Sequence, residues 1–189
     1  MMMHCSACGT VLPDPQAREC ASCGAVQFDD AKPCAGAAVV WDGRLLLVRR
    51  GHDPWKGHWD VPGGFCDGAE HPAATAVREV AEETGLSIEV TGFLGMWLDR
   101  YLDLNGRVKT TLNIYYHAVL CADAPLSRGF HSDEVQELGW FAPSKIPSRE
   151  ELAFPDHLVP MLAAWQSAVR AGATQTPMWD VDQETPTPT

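Results

Sequence analysis

The chain has no long apolar run and no excess of positive charge. None of its apolar stretches approaches the roughly 18 residues of a membrane-spanning helix, and its start, Met-Met-Met-His-Cys, lacks the basic and apolar regions of a secretory signal. With 14 Lys and Arg against 25 Asp and Glu, the formal net charge is −11. Unaided binding to nucleic acid is therefore not expected, because few cations are present to displace phosphate counterions. We expect a cytoplasmic protein without a membrane anchor.

What is present suits one globular domain with a small appendage. Apolar residues make up 46% of the 189 residues, which is enough to bury a core. The end of the chain, Thr-Pro-Thr-Pro-Thr, is polar and rich in proline. We therefore predict a flexible tail over residues 172–189.

Two Cys-X2-Cys pairs lie near the start of the chain, formed by Cys5, Cys8, Cys20 and Cys23. This spacing can supply four thiolates to one tetrahedral Zn²⁺ ion. Two disulfides are the alternative, which a cytosolic compartment disfavours. We predict a structural zinc ribbon over residues 1–32, too short to fold through a core of its own. A role in binding nucleic acid or a partner is disfavoured, since residues 5–23 contain one basic residue, Arg18.

The most informative stretch is a predicted helix from Pro72 to Thr84. Pro72 suits a first helical turn, and Gly85 suits the left-handed residue that ends a helix. At about 100° per residue, three carboxylates share one face of this helix beside an apolar stripe. They belong to Glu79, Glu82 and Glu83. Like charges at this spacing repel, so the face is either solvated or binds a hard divalent cation such as Mg²⁺ or Mn²⁺.

The pattern around this helix is Gly, five residues, Glu, seven residues, then Arg-Glu-aliphatic-X-Glu-Glu-X-Gly-aliphatic. It is met by Gly64, Glu70, Arg78, Glu79, Val80, Glu82, Glu83, Gly85 and Leu86. This is the Nudix box, and the chain resembles the Nudix hydrolase family. The resemblance implies an α+β fold, an α/β/α sandwich with a mixed sheet, over residues 33–171. It also implies Mg²⁺-dependent cleavage of the pyrophosphate bond in a nucleoside diphosphate linked to another group.

The resemblance implies the metal site as well. In it, Mg²⁺ or Mn²⁺ would be bound by Glu79, Glu82 and Glu83, and Gly63 allows a backbone carbonyl to approach the ion. Family members often add a carboxylate shortly before a Trp-Phe pair. That pair is Trp140-Phe141 here, which points to Glu134 first and Glu137 second.

The same resemblance assigns catalytic and structural roles. Arg78 would pair with Glu70 and orient the catalytic carboxylates, whereas the alternative is an ordinary surface ion pair. Gly64 and Gly85 would have structural roles, Gly64 in the loop and Gly85 at the end of the helix. The proton acceptor is left open among three carboxylates, those of Glu82, Glu83 and Glu134.

The remaining elements are predicted from apolar runs and turn signals. The pairs Asp42-Gly43 and Asn105-Gly106 each favour a hairpin. The predicted strands are Gly36–Trp41, Arg44–Arg50, Ser87–Leu102, Arg107–Leu120 and Val135–Phe141, followed by a helix over Pro155–Ala171. The loop between residues 51 and 61 carries two Trp residues. For Trp59 we favour packing under the sheet, and we assign Trp55 and Arg50 as predicted substrate contacts.

A second resemblance narrows the range of expected substrates. A zinc ribbon ahead of a Nudix domain is the arrangement of the NADH pyrophosphatases. Those enzymes carry a Ser-Gln-Pro-Trp-Pro-Phe-Pro type of stretch after the box, and residues 87–104 contain nothing similar. ADP-ribose or a related nucleotide sugar is therefore the first expectation, and NADH or NAD-capped RNA the second. A nucleotide-sensing regulator is the alternative from a different class, and family members are commonly homodimers.

Overall fold

The computed structural model describes residues 3–12, 19–26, 30–103, 106–121 and 133–172. It divides the chain into two compact units, Met1–Ala31 and Lys32–Thr189. This division falls one residue before the predicted boundary. The predicted tail, apart from Gly172, lies outside the described residues, and so does Asn105 of the predicted second turn.

The first unit is held together around its cysteines. Strands β1 (Met3–His4) and β2 (Val11–Leu12) form an antiparallel hairpin, with Met3 opposite Leu12. Among the described residues of this unit, the buried side chains are those of Cys5, Leu12 and Cys20. This described set of apolar side chains is too small to stabilise a fold by burial alone.

In its described residues, the second unit contains seven strands and two α-helices. Their bounds are β3 (Lys32–Trp41), β4 (Arg44–Arg50), β5 (Trp59–Asp60), β6 (Gly63–Phe65), α1 (Pro72–Thr84), β7 (Ile88–Leu102), β8 (Val108–Leu120), β9 (Val135–Phe141) and α2 (Pro155–Arg170). Pro160 lies inside α2 without ending it. In the part of the chain that is described, no helix is long and apolar enough to cross a membrane.

The strands form one mixed sheet with the path β5-β4-β3-β8-β7, to which β6 adds beside β3 and β9 beside β4. The pairing of β3 with β8 is parallel, and the other strand pairs are antiparallel. Both predicted hairpins form, because β3 pairs antiparallel with the next strand, β4, and β7 pairs antiparallel with the next strand, β8. The register of β3 on β8 places Ala35 opposite Ile114 and so brings two sequence-distant strands to the centre of the sheet.

Each face of the sheet is covered by one helix. One core contains Ala76 and Val80 of α1, and the other contains Leu158 and Trp165 of α2. This is the predicted α/β/α sandwich with a mixed sheet, and the fold class is confirmed. Trp59 packs in the second core, with its ring centroid 4.9 Å from that of Phe141.

Candidate active site

Helix α1 presents the acidic residues of the site. It begins at Pro72 with the side chain of His71 accepting a hydrogen bond from the Ala73 N–H at 3.2 Å, and it ends at Gly85, whose φ is 69°. Thr75, Ala76, Val80 and Thr84 are buried against the rest of the domain. The carboxylates of the neighbouring face therefore have a fixed direction, because the buried residues prevent the helix from rotating about its axis.

Arg78 connects three of the predicted acidic residues. Its Nε and Nη2 donate to the two oxygens of Glu70 at 3.0 and 2.9 Å. Its Nη1 donates to Glu79 at 2.9 Å and to Glu82 at 3.0 Å. Nη2 also donates to the Phe65 carbonyl at 3.2 Å. The guanidinium thus connects the loop before α1 to the acidic face of α1. A lysine could not do this, because its ammonium group lacks the planar fork that binds a carboxylate through two parallel hydrogen bonds.

Strand β6 brings two glycines against this helix. The Gly63 N–H donates to Oε2 of Glu83 at 3.1 Å. A Cβ at Gly63 would lie 2.6 Å from the Ala35 carbonyl oxygen, and a Cβ at Gly64 would overlap the carboxylate of Glu79. Both positions thus need glycine, because a neighbouring backbone or carboxylate occupies the space of a side chain.

The carboxylates of the site differ in their affinity for protons. Burial, followed by the charge of Asp60, raises the pKa of Glu83 to about 8. Burial also raises the pKa of Glu79, which the hydrogen bond from Arg78 opposes. Hydrogen bonds from Arg78 and from Thr75 lower the pKa of Glu70 to about 2. Arg78 therefore compensates the charge of Glu70, whereas burial makes Glu79 and Glu83 hold a proton more tightly than an exposed glutamate does.

The two carboxylates predicted near the start of β9 are placed differently. Glu137 forms an exposed ion pair with Arg49 of the neighbouring strand at 3.2 Å. Glu134 lies before β9, where its carbonyl accepts the Gly51 N–H at 2.7 Å, and its charge contributes to the raised pKa values of Glu79 and Glu83. The charge of Glu134 thus acts on two carboxylates of α1, and its role as a metal ligand stays a prediction.

A cavity of about 210 Å³ adjoins the two glycines. Arg50 is one of its lining residues, and its guanidinium forms an ion pair with the buried Asp60 at 3.1 Å. Trp55 is not a lining residue, and its ring lies 5.2 Å from the ring of His58. Of the two predicted substrate contacts, the structure brings Arg50 to the cavity and leaves Trp55 outside its lining.

Sequence reasoning missed the polar residues inside this cavity. The buried ones are Asp60, Asp99, Thr111, Asn113, Tyr115 and His157. They come from β5, β7, β8 and α2, so no local spacing joins them. A polar residue inside an apolar strand run was the one available signal, and it does not reveal the partner.

In the first unit the four predicted cysteines meet. The sulfur atoms of Cys5 and Cys23 are 3.7 Å apart, those of Cys8 and Cys20 are 3.8 Å apart, and all four lie within 4.8 Å of one another. A tetrahedral Zn²⁺ with bonds of about 2.3 Å to sulfur requires sulfur separations of about 3.8 Å. The cluster is therefore able to hold such an ion.

Gly64→Ala is expected to lower kcat/KM by about 100-fold with little change in thermal stability. The added methyl group displaces the Glu79 carboxylate, which can swing away because it is the end of a flexible side chain. Gly68→Ala is the matched control, since a Cβ there meets nothing within 4 Å. Steady-state kinetics and thermal melting of both variants check this. Equal activity of the two variants would contradict the placement of Glu79 in the site.

The fold alone is shared with known hydrolases. A crystal structure of a Nudix hydrolase from Nitrosomonas europaea superposes with a TM-score of 0.69 at 22% sequence identity, covering 94% of this chain and 97% of that one. At that identity the likeness establishes architecture. It places the chain in the structural class of Nudix domains.

The sequence comparison then identifies the family. The family profile described as NUDIX domain matches residues 31–163, and the chain belongs to the Nudix hydrolase family. It is similar to the ADP-ribose pyrophosphatase of Methanocaldococcus jannaschii, with 39% identity over 67 residues, which is 35% of this chain and 40% of that protein. It is also similar to the NAD-capped RNA hydrolase NudC of Photobacterium profundum, with 36% identity over 96 residues, 47% of this chain and 35% of that protein. The chain thus spans well under half the length of these relatives.

Proposed function

We propose that this chain is a divalent-cation-dependent hydrolase that cleaves the P–O–P bridge of a nucleoside diphosphate linked to another group. The observation that supports this best is the group of carboxylates on α1 next to a cavity that Arg50, half-buried and paired with Asp60, also lines. A negatively charged pyrophosphate can approach such a group only if cations lie between them. ADP-ribose is the first substrate to test, because a pyrophosphatase for it is among the similar proteins.

The donor set suits Mg²⁺ or Mn²⁺. Glu79, Glu82 and Glu134 offer hard oxygen ligands, and Glu83 adds one more carboxylate beside Gly63. Arg78 compensates Glu79 and Glu82, whereas among the described residues Glu83 takes part in no ion pair. This surplus of negative charge is what a bound cation would offset. When bound, the ion would neutralise the charge that develops on the phosphate oxygens.

We assign the transfer of the proton from water to Glu83. Its Oε2 is held by the Gly63 N–H, and unlike Glu79 and Glu82 it makes no hydrogen bond to Arg78. Its carboxylate can therefore accept a proton without first breaking an ion pair. Arg78 positions the other two carboxylates, and Glu70 holds Arg78.

Incubation of the protein with ADP-ribose and MgCl₂ is expected to release AMP and ribose 5-phosphate, separated by anion-exchange chromatography. NADH, NAD-capped RNA and UDP-linked sugars belong in the same panel, since NudC is among the similar proteins. Omission of the metal, or addition of EDTA, should remove the activity. Tight binding of ADP-ribose without release of AMP from any compound would favour a nucleotide-sensing regulator instead.

We further propose that the four cysteines bind a structural Zn²⁺ ion, which would place the chain in the zinc-ribbon branch of the family. Their sulfur separations support this. A homodimer and a cytoplasmic location also stay predictions. Light scattering of the purified protein and fractionation of cells test them.

A further inference from the structure

Three buried polar side chains form a chain of hydrogen bonds at the wall of the cavity. The hydroxyl of Tyr115 lies 2.9 Å from Nε2 of His157, and Nδ1 of His157 lies 3.1 Å from Oδ2 of Asp99. The three residues are 4–6% exposed and come from β8, α2 and β7. All three line the cavity that adjoins Gly63 and Gly64. The roles given above to the carboxylates of α1 do not involve these three residues.

The direction of these hydrogen bonds follows from their chemistry. A carboxylate only accepts, so Nδ1 of His157 carries the proton that is shared with Asp99. In the neutral imidazole the other nitrogen, Nε2, then accepts the hydroxyl proton of Tyr115. The Arg100 N–H holds the second oxygen of Asp99 at 2.8 Å, so the carboxylate cannot turn away. The lone pairs of the Tyr115 oxygen remain able to accept a further hydrogen bond.

Tyr115 keeps its proton in this setting. Burial and then the charge of Asp60 raise the pKa of Tyr115 well above its ordinary value. Its ring lies nearly parallel to that of His157, at 19° with the centroids 5.9 Å apart, and packs at 6.1 Å from the ring of Trp97. These contacts restrict the ring, and the hydrogen bond to Nε2 of His157 directs the hydroxyl. A polar group held in this way is preorganised for recognition.

The lining of the cavity indicates what can meet this hydroxyl, because aromatic side chains pack against planar rings. Tyr101 and Phe154, with ring centroids 5.0 Å apart, supply an aromatic wall for such a ring.

We propose that Asp99, His157 and Tyr115 form a specificity element in which the Tyr115 oxygen accepts a hydrogen bond from a donor on the uncharged ring of the substrate. Two sources supply such a donor, a sugar hydroxyl and the exocyclic amine of a base. Tyr115 is the contact residue, and His157 and Asp99 are positioning residues. This inference rests on the proposed function, because it assigns the part of the substrate that lies beyond the diphosphate.

Tyr115→Phe tests the proposal, with Tyr116→Phe as the matched control. Tyr116 is the next residue of β8 and packs in the core on the α1 side of the sheet, so the same atom is removed on the opposite face. With ADP-ribose we expect Tyr115→Phe to lower kcat/KM by at least 10-fold and Tyr116→Phe to leave it within about 2-fold. With a substrate that lacks the hydrogen-bond donor, Tyr115→Phe and the wild type should have the same kcat/KM.

Two substrate analogues separate the sources of the donor. IDP-ribose lacks the exocyclic amine of the base, and ADP-ribose analogues with a distal hydroxyl replaced by hydrogen lack the sugar donor. The analogue for which wild type and Tyr115→Phe have equal kcat/KM identifies the group that is recognised. An equal loss in Tyr115→Phe for every substrate would mean that Tyr115 has only a structural role, and the proposal would be wrong.

Asp99→Asn gives a second test should Tyr115→Phe unfold. The amide can donate to Nδ1, which moves the imidazole proton to Nε2 and turns the Tyr115 hydroxyl into a donor. The same substrate-dependent loss is therefore expected, and wild-type kinetics would overturn the proposal.

A wild-type protein inactive on every nucleoside diphosphate overturns the proposed function as well. Activity in the wild type that Tyr115→Phe retains in full overturns the specificity element alone.

Discussion

Glu83→Gln is expected to lower kcat by about 1,000-fold, which is within the range for the loss of a general base. The amide keeps the shape of the side chain and loses the ability to accept the proton of the attacking water. Release of AMP from ADP-ribose under saturating substrate measures this. Glu89→Gln, an exposed glutamate at the start of β7, is the control and should keep wild-type activity.

The same substitution should stabilise the metal-free protein. Burial and Asp60 raise the pKa of Glu83 to about 8, so the folded state binds its proton more tightly than the unfolded chain does. A charged Glu83 therefore opposes folding, by an amount that is absent below the ordinary pKa of a glutamate and grows until the pH passes about 8. Without metal, the melting temperature of Glu83→Gln should be higher than that of the wild type at pH 8 and equal to it near pH 4. Lower stability at pH 8, or retained turnover, would contradict the role given to Glu83.

Cys20→Ser is expected to reduce bound zinc from one ion per chain to less than about a tenth, and to unfold the first unit. Structural zinc contributes about 10–16 kcal/mol to the folding of small zinc-binding domains, and the few buried apolar side chains among the described residues of Met1–Ala31 cannot replace it. Elemental analysis of the purified protein gives the metal content. Limited proteolysis reports the order of the first unit.

The control for this loss is Cys121→Ser, because Cys121 lies in the second unit and outside the cysteine cluster. It should keep one zinc ion per chain. The helices and the sheet of the second unit have their own cores, so circular dichroism of Cys20→Ser should retain most of the wild-type signal. Wild-type protein without zinc, or with disulfide-linked cysteines in its mass spectrum, would contradict the zinc proposal.

Local features of this protein were predictable because their causes are local. The bounds of α1 follow from Pro72 and Gly85, and the structure ends the helix where Gly85 adopts a positive φ. The spacing of Glu79, Glu82 and Glu83 along a helix predicted that they share a face, and turn signals predicted the two hairpins. The spacing of the cysteines predicted that four sulfur atoms meet. In each case a few neighbouring residues suffice, since helical periodicity and turn chemistry act over short distances.

The different positions of Glu134 and Glu137 became visible only in the tertiary structure. Both residues lie near the start of β9, and a sequence cannot reveal strand register. Pairing of β9 with β4 places Glu137 opposite Arg49, where the two form an ion pair. Glu134 then lies beyond the paired region, at Gly51.

By itself, then, the sequence determined the family, the sandwich fold, the acidic face of α1 and the four cysteines. Only the tertiary structure decided which side chains line the cavity, because Asp60, Asp99, Tyr115 and His157 come from four different elements. Their meeting depends on the parallel pairing of β3 with β8 and on the packing of α2 against the sheet. The free energy of such contacts comes from burial between elements distant in the chain, and no spacing pattern along the chain encodes it.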